Sequence, residues 1–262
     1  MDFKSRHILI TGGTSGIGRA LLEELVLRGA KKIAVIARNS EKLNALKREF
    51  TDVDLLPFAG DVFDTKHLDR TVSEIEKSWG ALDILINNAG VVSAGALEDI
   101  SDEDIINQVN INLTGTILLT KKCLPLLKKS ESAAIINVSS GLGFIAWPFY
   151  NVYAATKAGI RQFSDALRRD LYQFPIHVMT IYPTATETPM MENAVVENMD
   201  DPKMVARVSL DGLVNKQTHV IFGGEQRLID IELNNNDPDV IDRKAIERYE
   251  FLRKRTKNHR AM

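Results

Sequence analysis

Two hydrophobic periods alternate along this chain, and that alternation restricts its fold more than any other feature. Short, nearly continuous apolar runs occupy residues 7–10, 32–37, 53–58, 82–86, 133–138, 176–181 and 219–222. Runs so short and so rich in β-branched residues read as strands, and their lack of polar alternation means that both faces are covered. Between them, residues 20–27, 41–50, 68–78, 102–127 and 152–172 place apolar side chains every three or four positions, the period of a helix. Gly29 closes the first helix, and Ser101 with Asp104 opens the fourth as a weak capping pair. Pro57 assigns the third strand an exposed or terminal position. Seven strands with helices between them predict an α/β fold with a mostly parallel sheet and right-handed crossovers.

The 262 residues show no internal repeat and no low-complexity linker, so a single domain is expected over 1–262. Within it, about 190–224 reads as a substrate-loop region and 225–262 as a C-terminal helical extension. With 44% apolar and 26% charged residues, the chain is neither disordered nor a disulfide scaffold. Its 33 Lys and Arg against 35 Asp and Glu advertise no nucleic-acid partner. The lone cysteine, Cys123, forms neither an internal disulfide nor a thiolate zinc site and reads as a small buried hydrophobe. A reducing, cytoplasmic compartment follows as the expectation. The N-terminus lacks a signal-peptide pattern, and no run is long and apolar enough to span a membrane.

The run Thr11-Gly12-Gly13-Thr14-Ser15-Gly16-Ile17-Gly18 lies between the first strand and the first helix. Free N–H groups and the positive helix end meet there, and glycines let a pyrophosphate approach the backbone. The spacing is G-x-x-x-G-x-G, and the Lys-Ser/Thr ending of a P-loop is missing. The second strand ends in Ala37-Arg38-Asn39-Ser40. A carboxylate at that turn would accept a ribose hydroxyl and repel a 2′-phosphate. Arg38 instead offers a guanidinium, so NADP is preferred, with NAD as the second candidate. Arg19 is a weaker candidate for the same phosphate.

Tyr153 and Lys157 stand four residues apart in a helical segment and so share a face. An ammonium beside a phenol favours the phenolate, which suits general acid–base chemistry. Tyr150 competes for the role, but the residue four positions on is Ala154.

Together, Thr11-Gly12-x-x-x-Gly16-Ile17-Gly18, Asn87-Asn88-Ala89-Gly90, Ser140, Tyr153 and Lys157 resemble the short-chain dehydrogenase/reductase family in order and separation from about residue 5 to 190. The resemblance implies a Rossmann-type three-layer sandwich with a seven-stranded, mostly parallel sheet. It implies that Tyr153 protonates a carbonyl oxygen, or takes the proton back in the reverse direction. Lys157 would lower the Tyr153 pKa and bond the nicotinamide ribose. Ser140 would bond the substrate oxygen, with Ser139 bonded to backbone instead. Asn112 would hold a proton-relay water near the lysine, with Asn110 out of register. Gly12, Thr14, Ser15, Gly16, Ile17 and Gly18 would cradle the phosphates. Asp61 and Val62 would meet adenine, and Asn88, Ala89 and Gly90 would line the cofactor. Pro183, Thr184 and Thr186 would contact nicotinamide, although Thr184 replaces the family's usual glycine. A homodimer is a further family expectation.

The implied function is an NADP-preferring oxidoreductase that interconverts a carbonyl and an alcohol of a small molecule. The alternative from another class is an NADP-binding sensor or scaffold without turnover. The five histidines show no metal-ligand spacing. Around the motifs, Val91-Val92-Ser93, Leu142-Gly143-Phe144 and Trp147-Pro148-Phe149 suggest a partly apolar substrate, and Met190, Met191 and the segment through Met204 read as either an adaptable lid or core filler. Ile241, Ala245, Tyr249 and Leu252 are spaced for one helical face. The basic Arg253-Lys254-Arg255 and Lys257 that follow suit a helix C-terminus, or contact with an anionic membrane surface.

Overall fold

The computed structural model of the protein describes residues 2–196 and 198–262. In chain order the first half comprises β1 (His7–Thr11), α1 (Gly16–Leu27), β2 (Lys32–Ala37), α2 (Ser40–Glu49), β3 (Asp54–Ala59), α3 (Thr65–Trp79), β4 (Ile84–Asn87) and β5 (Val92–Ser93). Then follow α4 (Asp102–Val109), α5 (Gly115–Leu127), β6 (Ala133–Val138), α6 (Asn151–Asp170) and β7 (Ile176–Tyr182). The last part holds α7 (Pro202–Val214), β8 (His219–Ile221), α8 (Gly224–Asn236), α9 (Pro238–Glu247), α10 (Tyr249–Thr256) and β9 (Arg260–Ala261).

Seven strands form one parallel sheet in the order β3-β2-β1-β4-β6-β7-β8. The strand period of two sorts their side chains into two cores. Ile8, Ile10, Ile33, Val35, Ile84, Ile86, Ile136 and Ile181 face α1, α2 and α7. Leu9, Ala34, Ile36, Leu85, Ile135 and Val178 face α3, α5 and α6. This is the expected three-layer arrangement, and it explains why the strands read as unbroken apolar runs. Pro57 lies on β3, an edge strand, where a missing N–H costs no ladder bond on the open side. Cys123 is fully buried among apolar neighbours, which push its thiol up to about 12. No helix among the described residues is long and apolar enough to cross a membrane.

The chain runs outward from β1 to β3, then returns to place β4 on the other side of β1. At such a reversal the crossovers diverge and leave a crevice at the strand C-termini.

Three features depart from the sequence expectation. The long helix over 102–127 is interrupted by a π turn at Asn110–Thr114. The segment through Met204 divides, with a loop up to Asp201 and then α7, whose Val205, Ala206, Leu210 and Leu213 are core. The single face expected from Ile241 to Leu252 is split at Arg248 between α9 and α10. Ile241 and Leu252 are buried, but Tyr249 is exposed. The sequence also gave no sign of the antiparallel pair β5–β9, which returns residues 260–261 to the crevice.

A buried polar ladder ties the sheet to its helices. Asn87 Nδ2 donates to Asn137 Oδ1 at 2.8 Å and to Thr120 Oγ1 at 2.9 Å, and Asn137 Nδ2 donates to Ser164 Oγ at 2.8 Å. Asn137→Ala leaves an Asn87 N–H without its partner in a dry site. It should cost about 2 kcal/mol and lower the melting temperature by roughly 4–8 °C. A circular-dichroism melt reads the shift, and a change below about 1 °C would show the ladder to be dispensable.

Candidate active site

The crevice is a cleft of about 820 Å³, large enough for a dinucleotide-sized ligand and lined at one end by the glycine turn. Its floor is locked where β1 and β4 end. Thr11 Oγ1 accepts from the N–H groups of Asn88 and Ala89, both at 2.9 Å, and Asn88 Nδ2 donates to the carbonyls of Thr11 and Gly12 at 3.0 and 3.3 Å. This contact leaves no room for side chains on the facing turn. A Cβ on Gly18 would lie 2.3 Å from both Gly12 O and Asn88 Nδ2. Gly12 and Gly16 adopt left-handed backbone, with φ of 69° and 53°. Ser15 stands at the N-cap of α1 without a side-chain cap, so the first N–H groups of the helix face the cleft. A cradle of this kind fits a pyrophosphate.

Of the catalytic and cofactor candidates named from the sequence, all line this cleft except Gly18, Asn112 and the weaker candidate Arg19. Gly18 packs behind the turn, and its role is to permit the close approach. Asn112 is buried in the π turn, with its amide fully engaged. Its Oδ1 accepts from Val91 N at 2.8 Å, and its Nδ2 donates to Val91 O at 2.9 Å and Thr156 Oγ1 at 3.2 Å. It therefore clamps the chain leaving Gly90 against α6. A Cβ on Gly90 would lie 3.3 Å from Asn112 Oδ1 and 3.5 Å from Lys157 Nζ, so the clamp sets the floor beside the lysine.

Tyr153 and Lys157 project from the first turns of α6, and Ser140 follows β6. Lys157 is buried; its Nζ donates to Val138 O at 3.0 Å and stands 5.5 Å from the Tyr153 ring centre. No carboxylate contacts it among the described residues, and burial lowers its pKa to about 8. The expectation that Lys157 lowers the Tyr153 pKa needs correction here. Burial raises the Tyr153 hydroxyl, the Ser140 side-chain bond opposes that rise, and Tyr150 adds to it. One N–H of the ammonium goes to a backbone carbonyl, and its charge does not reach Tyr153 strongly enough to offset burial. Ser139 Oγ donates to Lys157 O at 2.8 Å, the backbone role expected of it.

At the far end, Arg38 and Lys42 both line the cleft. Lys42 was not anticipated, although its position four residues after Arg38 in the next helix was a usable signal. Arg19 is not free for a phosphate, since Glu23 and Glu49 hold its guanidinium over the Phe50 ring. After β7, Thr184 Oγ1 donates to Asp200 and Thr186 Oγ1 to Thr184 O, so Asp200 fixes the loop where the family's usual glycine is replaced.

Away from the cradle the cleft also carries apolar side chains, Val91, Val92, Leu142, Trp147, Met190 and Met191. Phe144 turns away onto Tyr182, and Phe149, strained at φ 71°, packs on Tyr249. Tyr150, the competing tyrosine, is committed elsewhere. His259 Nε2 must donate to Met190 O at 3.0 Å, which leaves Nδ1 to accept from the Tyr150 hydroxyl at 2.8 Å. Arg260 forks onto Asp104 at 2.7 and 2.9 Å. These contacts seat the β9 segment as a cleft wall. Nothing in the sequence announces them, because the partners are 69 or more residues apart.

A buried ammonium without a counter-charge is a stability cost. The folded pKa of Lys157, about 8, lies below its unfolded value of about 10.4. The penalty is therefore full below about pH 8 and vanishes as pH rises through about 10.4. Lys157→Met should raise the melting temperature of the ligand-free protein at pH 6–7, by the equivalent of about 1–3 kcal/mol. The gain should shrink toward pH 10, and a variant that melts no higher at pH 6 would refute the cost.

The profile of the short chain dehydrogenases matches residues 6–198. Two 3-dehydrosphinganine reductases of Arabidopsis thaliana are each 34% identical, over 86% and 80% of this chain and 68% and 64% of their own lengths. The chain thus spans about two thirds of these plant relatives. A human 3-oxoacyl-[acyl-carrier-protein] reductase is 32% identical over 72% of this chain and 79% of its own. A short-chain dehydrogenase of Streptomyces avermitilis has a TM-score of 0.78 at 25% identity, covering 95% of this chain and 98% of that one. A short chain dehydrogenase/reductase of Burkholderia phymatum, solved with NAD, has the same fold, with a TM-score of 0.82 at 18% identity over 92% and 96% of the two chains. The family match over residues 6–198 and these relatives show that the chain belongs to the short-chain dehydrogenase/reductase family, whose members are nicotinamide-dependent oxidoreductases.

Proposed function

We propose that this protein is an NADP-preferring oxidoreductase that interconverts a carbonyl and an alcohol, with Tyr153 as general acid and base. The observation that carries the proposal is the placement of Tyr153. Its hydroxyl is within the influence of the Ser140 side chain, its ring centre lies 5.5 Å from the Nζ of the buried Lys157, and all three residues line the cleft beyond the glycine cradle.

A nicotinamide dinucleotide, when bound, supplies or takes the hydride. The chain's own residues supply position and the proton. The cradle from Gly12 to Gly18 holds the pyrophosphate, Asp61 and Val62 the adenine, and Asn88, Ala89 and Gly90 the wall between. Thr186, whose hydroxyl proton is spent on Thr184 O, keeps lone pairs to accept from a carboxamide. Pro183 and Thr184 support that contact. In reduction, as hydride reaches the carbonyl carbon, the C=O π pair moves to oxygen, and that oxygen takes the Tyr153 proton. Ser140 donates to the same oxygen. The raised pKa keeps Tyr153 protonated at neutral pH, as an acid must be. Lys157 offsets the charge on the phenolate that is left and bonds the ribose. Asn112 acts as a positioning residue through Val91 and Gly90.

Tyr153→Phe should reduce NADPH-dependent carbonyl turnover by at least about 10³-fold while NADPH affinity, read by fluorescence titration, stays within about threefold. Retained turnover would remove Tyr153 from the reaction.

The cofactor preference rests on Arg38 and Lys42, with no carboxylate at the turn that ends β2. The pair Arg38→Asp and Lys42→Glu should shift the NADPH:NADH affinity ratio by at least about 100-fold toward NADH, the equivalent of two charge-assisted bonds. An unchanged ratio would place the 2′-phosphate elsewhere or show that none is recognised.

A further inference from the structure

The chain carries a formal charge of −2, yet its cleft is cationic. Among the described residues six cations line it, Arg38, Lys42, Lys157, Arg227, Arg248 and Arg255, against two carboxylates, Asp61 and Asp230. The cofactor reading accounts for the first three. The other three all come from the chain after β8. Arg227 lies on α8, Arg248 at the α9–α10 junction and Arg255 on α10.

Among the described residues, none of these three forms an ion pair. Asp230, the carboxylate nearest in sequence, is already held by Lys244 at 2.7 Å and Gln226 at 3.0 Å. Glu250 faces Arg253 instead. Arg227 is half-buried, makes no hydrogen bond among the described residues, and stands over Gly141, next to Ser140. A Cβ on Gly141 would lie 3.3 Å from its Cζ. Burial lowers its pKa, so its charge is held at a cost. Arg248 lies 5.8 Å from the ring centres of Trp147 and Phe251, and Arg255 lies 5.6 Å from that of Tyr150. The buried Nε of Arg255 has no acceptor.

A surface arginine covering an aromatic ring needs no ligand. Three arginines on one cleft wall, with no carboxylate partner and one pressed against the residue after Ser140, leave a counter-charge to be supplied. Guanidinium groups fit carboxylate and phosphate through paired N–H bonds. Between them the cleft offers Leu142, Trp147, Met190, Phe251 and Leu252, a lining suited to an alkyl chain.

We propose that the substrate is an amphiphile, with an apolar body and an oxyanion, carboxylate or phosphate, held by Arg227 together with Arg248 and Arg255. This rests on the carbonyl–alcohol reading for its chemistry and adds the substrate class. The same three charges oppose a cationic head group, so a ketone with an ammonium beside its carbonyl is disfavoured at this site.

Binding separates the two proposals, because it needs no turnover. Calorimetry on the full chain would compare octanoate and octyl phosphate with octanamide and octylamine. Both anions should bind at least about tenfold tighter than octanamide, and octylamine more weakly still. Which anion binds tighter identifies the head group. Arg227→Gln should lower anion affinity about tenfold and octanamide affinity less than twofold, with Arg227→Lys between. Near-UV dichroism checks that each variant is folded, and Arg248→Gln and Arg255→Gln repeat the comparison independently.

Octanamide binding as tightly as octanoate overturns the proposal, as does equal loss of charged and neutral ligands in the variants. Anion binding abolished by Arg38→Asp with Lys42→Glu, and untouched by Arg227→Gln, also overturns it, by moving the oxyanion to the cofactor end. Charge-selective binding without turnover of any oxo acid or ketone would instead defeat the carbonyl–alcohol reading and leave the anion site standing.

Discussion

The junction between the tips of β1 and β4 is the contact on which the rest of the site depends. Thr11 Oγ1 accepts two N–H groups from the chain leaving β4, and the Asn88 amide returns two bonds to the chain leaving β1. These bonds close the sheet at the reversal of strand order and fix the height of the crevice floor. They also explain the glycines, because the side chain of Asn88 occupies the space that a Cβ at Gly12 or Gly18 would need. The turn is thus bound from below by protein, and its remaining N–H groups face the cleft. The same junction launches residues 88–91, which Asn112 then clamps through Val91 beside Lys157. One cluster of bonds thereby sets both the phosphate cradle and the floor under the lysine.

What was legible in the sequence was local. Strand period, glycine spacing and the four-residue step from Tyr153 to Lys157 each lie within one element, and the structure places all of them around one cleft. The seven strands follow because each is buried on both faces and so carries an uninterrupted apolar signature. The π turn at Asn110–Thr114 left no such trace, since its residues are compatible with ordinary helix, and it is the Asn112 contacts to Val91 and Thr156 that distinguish it. The β5–β9 pair was invisible for another reason. Two residues a side carry no period, and the contacts that hold them, His259 on Tyr150 and Arg260 on Asp104, join distant parts of the chain.

Electrostatics were misread where a pairwise rule met a dry environment. Four residues of helix bring an ammonium to the same face as a phenol, but they do not fix what the ammonium bonds. Val138 O captures Lys157, while burial raises Tyr153 and lowers Lys157. Both shifts favour neutral groups. Burial thus keeps Tyr153 neutral, while Lys157, with a pKa of about 8, still carries its charge at neutral pH, at a cost to the fold. This leaves the balance of phenol and phenolate to be set by what enters the cleft.

The C-terminal segment completes that logic. The first part of the chain builds the crevice at the strand C-termini, and the family match reaches about as far as that crevice does. The part after β8 adds the wall beside Gly141 and Ser140. It brings three arginines that form no ion pair among the described residues, together with the aromatic surfaces they cover. Asp230 also lines the cleft but is held by Lys244, and Glu250 faces Arg253. Charge is segregated rather than absent. The region in which composition and local period say least about structure is therefore also the region on which the proposed choice of substrate rests.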